Sequence, residues 1–69
     1  MDLCIPGKDP IQVNQMGSDF LIINPSKVYI HPCEATVEMT VDGRPHLIPV
    51  WLPEGIVKRQ RTIKIEDRT

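Results

Sequence analysis

The segment CEATVEMTVDGRPHLIPVWLPEG, residues 33 to 55, constrains this chain more than any other. Apolar and polar residues alternate on both sides of Asp42-Gly43, which is the pattern of half-buried strands. Asp-Gly is a strong two-residue hairpin signal, because a type I′ turn needs positive φ at both central positions. With Val41 opposite Arg44, Met39 faces His46, Val37 faces Ile48 and Ala35 faces Val50. Directly paired residues share a face. Ala35, Val37, Met39, Val41, His46, Ile48 and Val50 therefore lie together as a nearly complete apolar face. The residues flanking such a turn form a hydrogen-bonded pair, and the pairing class then alternates. Pro45 and Pro49 fall where their missing N–H groups would have pointed away from the first strand. Prolines in sheets sit on edges for this reason. The second strand is thus expected at a sheet edge, guarded against further pairing. The other neighbour of the first strand is expected from DFLII or RTIKI.

The rest of the chain keeps the same period. Seven prolines interrupt it, and no stretch of eleven residues holds the three-and-four spacing of a helix. DFLIIN, residues 19 to 24, is a short apolar run closed by Pro25. RTIKIE places Ile63 and Ile65 on one face and Thr62, Lys64 and Glu66 on the other. LCI and IQV flank the turn-forming PGKDP, which suits a short hairpin. KVYI reads as one more short strand before His31-Pro32. The expectation is a single all-β domain over residues 1 to 69, a small antiparallel β-sandwich or partly open barrel of five to seven short strands.

A chain of 69 residues buries a small fraction of its surface. Small scaffolds usually need a disulfide, a metal or an oligomer. Cys4 and Cys33 do not make a disulfide framework, and in a cytoplasm they are expected reduced and packed. No basic region followed by an apolar run opens the chain, and no run is long enough for a helical membrane span, so a cytoplasmic location without membrane contact is expected.

Cys4, His31, Cys33 and His46 are zinc-type ligands, but only HPC brings two of them close, and zinc sites usually bring ligands in spaced pairs. No metal and no cofactor is expected. A Cys–His nucleophilic pair lacks a local signature, the carboxylates are scattered, and the glycines are isolated turn residues. Enzymatic activity is not expected of so short a chain.

Two surfaces remain. Leu47, Pro49 and Trp51 share the face of the second strand opposite the apolar one. Trp51 there either anchors a partner or covers a second small core. Met16 and Phe20 are possible additions to that surface. The other candidate is the tail. Residues 1 to 57 hold three basic and seven acidic residues, and residues 58 to 69 hold five basic and two acidic ones. Lys58, Arg59, Arg61 and Lys64 could contact phosphates, or could simply keep a terminal strand solvated.

The Ala35-x-Val37 strand, its Val41-Asp42-Gly43 turn and the closing Leu52-Pro53-Glu54-Gly55 resemble small all-β domains of uncharacterised bacterial proteins over roughly residues 18 to 56. Cys33 follows Pro32 where such domains often place a turn glycine. The resemblance implies a fold class and no activity. The expected role is a non-catalytic protein–protein interaction or self-associating β module, most simply a homodimer. The alternative is a nucleic-acid-binding module using residues 58 to 64.

Overall fold

The computed structural model describes residues 1–68. Its strands are β1 (Asp2–Cys4), β2 (Ile11–Met16), β3 (Phe20–Ile23), β4 (Cys33–Val41), β5 (Arg44–Leu52), β6 (Thr62–Lys64) and β7 (Glu66–Asp67). No helix occurs among the described residues. The β4–β5 hairpin has the expected register, from Val41↔Arg44 to Cys33↔Leu52. Asp42 (φ 51°) and Gly43 (φ 77°) supply the positive pair that the turn requires. The N-terminal hairpin also forms, with Leu3↔Ile11 and Asp2↔Gln12.

All seven strands belong to one antiparallel sheet, in the order β6-β3-β2-β1-β4-β5-β7. The two ends of that order are neighbours in the chain, separated by Ile65 alone. One stretch, residues 62 to 67, therefore pairs with β3 through Leu21↔Ile63 and with β5 through Trp51↔Glu66. The Ile65 N–H still bonds the Asp19 carbonyl (3.0 Å), while the Arg68 N–H bonds that of Pro49 (3.1 Å). A sheet whose ends meet in one strand must curl, so the molecule is a partly open barrel. A bulge in β2, where Val13↔Ile23 gives way to Gln15↔Ile22, adds the local bend that curling needs.

Leu3, Val13, Leu21, Val37, Val50 and Ile63, one from each strand that lines the interior, are buried together with Ile65. Phe20, Tyr29 and Trp51 all lie outside this core. The core is aliphatic, and it closes because the period-two alternation of every strand aims inward at once.

Three expectations are corrected. The other neighbour of β4 is β1, in the register Leu3↔Val37, and neither DFLII nor RTIKI. The second strand is an edge only over its first half, because β7 covers residues 50 and 51. KVYI is not a strand; Ile30 alone makes a bridge, to Ile56. In addition, β1 reaches only residues 36 to 38 of β4. Among the described residues no other strand pairs with residues 39 to 48, which form a two-stranded ribbon whose base, Met39 and Ile48, still packs on the core. The expected apolar face is buried at Ala35, Val37 and Val50, half-buried at Met39 and Ile48, and exposed at Val41 and His46.

Candidate interaction surface

The barrel's outer wall over β1, β4, β5 and β7 can be read from the register. Its rows run Asp2–Glu38–Leu47, Cys4–Thr36–Pro49 and Glu34–Trp51–Glu66. Leu47, Pro49 and Trp51 thus form a stripe down β5, as the alternation of the sequence required. Leu47 is 64% exposed, the most exposed large apolar side chain of the described residues. Trp51 is half-buried, with the Arg68 guanidinium 5.1 Å from its ring centroid, a cation–π distance. Met16 and Phe20 do not join the stripe. Met16 pairs with Leu21 and packs on the core, and Phe20 lies across the 62-to-67 strand, against Lys64.

The stripe is framed by acid. Glu34 and Glu66 flank Trp51 directly, and Glu38 flanks Leu47. Asp2 stands opposite Glu38, and like charges directly opposite each other are destabilising. Cys4 lies beside them and its thiol donates to the Glu38 carboxylate (3.8 Å). Burial pushes the Cys4 pKa up, and the charges of Glu38 and Asp2 push it the same way. Each of these influences disfavours the thiolate. An open cleft of about 600 Å³ runs between Cys4, Glu34, Thr36, Pro49 and Arg68.

The basic segment lies elsewhere. The Arg59 N–H bonds the Ser26 carbonyl (2.8 Å), and Ile30 and Ile56 exchange both backbone bonds (2.7 and 2.8 Å). The loops 26–31 and 55–60 therefore run side by side. Their exposed apolar residues are Val28, Tyr29 and Val57, and Lys27, Lys58 and Arg59 stand exposed among them. Tyr29 meets the His31 ring edge-on (5.0 Å between centroids, 84°). Arg61 immediately precedes β6, its carbonyl accepting from the Ile23 N–H (2.7 Å), and Lys64 lies in β6 opposite Phe20 of β3. A second open cleft of about 600 Å³ lies between Lys27 and Val28 on one wall and Lys8 and Gln12 on the other. Val28 and Tyr29 fall in KVYI, which by its sequence alone suits a strand, and nothing in the sequence joins Val57 to them.

The Cys and His residues do not converge. Leu3 and Val37 point inward as a pair, so Cys4 points outward, whereas Cys33 packs against the core. The two thiols are free and lie on opposite faces of the sheet. Cys33 opens β4 without positive φ, so its place needs no glycine. Among the described residues no three of His, Cys, Asp and Glu gather as metal ligands. No helix there is long and apolar enough to cross a membrane. Neither a protein family, nor a curated protein, nor a solved structure matches this chain.

Proposed function

We propose that this chain is a small non-catalytic protein-interaction module that docks through the outer face of β5. The observation that carries the reading is the stripe of Leu47, Pro49 and Trp51 on a strand whose first half lies in the ribbon that no other described strand pairs with. Isolated two-stranded ribbons are marginal in water. Burying Leu47 fully would contribute about 2 kcal/mol. A photo-crosslinking residue placed at 47 should give discrete protein adducts in cell extract, and one at Asn14, on β2, should not. Equal labelling from both positions, or none from 47, defeats the reading.

A second reading has one observation in its favour. Tyr29 is 51% exposed and stands in the loops that carry Lys27, Lys58 and Arg59, which is the pairing of aromatic and cation that stacks and holds single strands. Fluorescence anisotropy with labelled single-stranded oligonucleotides tests it. Binding that weakens with salt and is lost in Tyr29→Ala would favour nucleic acid.

A further inference from the structure

We propose that the occupant of the acid-framed stripe is the basic patch of a second copy of this chain, so that copies join head to tail. The inference rests on the interaction reading above and adds the partner. The stripe has an apolar centre, Leu47, Pro49 and Trp51, beside Glu34, Glu38, Glu66 and Asp2, and these four acids outnumber Arg68, the cation that lies over Trp51. The loops 26–31 and 55–60, held side by side by their backbone bonds, expose three apolar residues, Val28, Tyr29 and Val57, and three cations, Lys27, Lys58 and Arg59. Apolar groups can meet apolar groups, and the prevailing charges of the two surfaces are opposite in sign. Each surface also adjoins an open cleft of about 600 Å³.

A two-fold dimer through the stripe would instead set each acidic frame against its own copy, and like-charge juxtaposition opposes association strongly. The Asp2↔Glu38 pair is already unfavourable inside one copy, and a cationic neighbour relieves it. The two surfaces are different, so the contact is heterologous. It generates rings or open chains, not closed dimers.

Sedimentation velocity over a concentration series, at low and at high salt, tests this with the intact protein. The parent should form species larger than a dimer at low salt and dissociate as salt rises. The Glu34→Lys, Glu38→Lys variant and the Lys27→Glu, Lys58→Glu variant should each stay monomeric to a concentration about tenfold higher or more. All four positions are exposed, and circular dichroism confirms that each variant folds. Mixing the two reversed variants should restore assembly, because each reversed surface then finds an opposite. Assembly of the Lys27→Glu, Lys58→Glu variant like the parent means a two-fold contact, which defeats the head-to-tail inference and leaves the interaction reading standing. A parent monomeric throughout also defeats the inference. In that case the adducts from position 47 decide whether a foreign partner uses the stripe or the interaction reading fails too.

Discussion

Single residues on the outer wall are governed by neighbours distant in sequence. Cys4 meets Glu38 only because β1 pairs with β4, and nothing in LCI or EATVEMTV announces that pairing. Glu38→Gln removes a charge and the thiol's acceptor, so the Cys4 pKa should fall towards the ordinary thiol range. Iodoacetamide labelling, resolved by peptide mass spectrometry between about pH 7 and pH 10, should then begin at lower pH than in the parent. An identical profile would mean that burial alone holds the proton. With the Cys4 pKa raised, the folded chain keeps a proton that the unfolded chain has lost, so this group's contribution is lost as pH rises through the folded pKa. Gly55 is set by a different neighbour. Its φ of +62° is a left-handed conformation, and a Cβ there would run into the Ile30 carbonyl, which accepts the Ile56 N–H. Gly55→Ala should cost about 2 to 3 kcal/mol, from backbone strain and the lost bridge together, read as a lower urea midpoint.

At the scale of elements, the β4–β5 hairpin was legible in full because everything that defines it is local. Asp42-Gly43 fixes the turn, and the turn fixes the register of nine pairs. The roles of its prolines were only half legible, because they depend on where β7 lands. Pro45 lies in the open half of β5, and there it withholds a donor from any incoming strand. Pro49 already accepts from the Arg68 N–H, and its missing N–H is the reciprocal bond that would have extended β7. The two substitutions should therefore differ. Pro45→Val should raise aggregation, followed by light scattering during heating. Pro49→Val should stay soluble and slow amide exchange around Arg68. Aggregation by both alike would return Pro49 to an edge-guarding role. The site had the same mixed legibility. Alternation alone put Leu47, Pro49 and Trp51 on one face, but the acidic frame needs β1 and β7. The patch around Tyr29 needs two loops about thirty residues apart to lie together.

The whole molecule depends on one strand serving two edges. RTIKIE showed its inward face in the sequence, since Ile63 and Ile65 alternate with polar residues, and the alternation reads the same whichever strands lie beside it. Closure was therefore invisible, although it decides between a sandwich and a barrel. Ile65 sits at the changeover, 1% exposed, between the residues that pair with β3 and those that pair with β5. Ile65→Ala removes core volume, a change that costs about 2 to 5 kcal/mol in aliphatic interiors. Its position predicts more than the cost. If the segment 62 to 67 is the seam of the barrel, loosening it frees the edges of β3 and β5 together. Hydrogen exchange in Ile65→Ala should then accelerate at Leu21 to Ile23 and at Val50 to Leu52 in parallel, while the β1–β4 ladder at Leu3 and Val37 stays slower. A control on the strand farthest from that segment, Leu3→Ala on β1, should lower the urea midpoint without linking those two edges. If Ile65→Ala instead speeds exchange evenly through all strands, the segment is an ordinary core contributor. The barrel would then owe its closure to the packing of the interior and not to a seam.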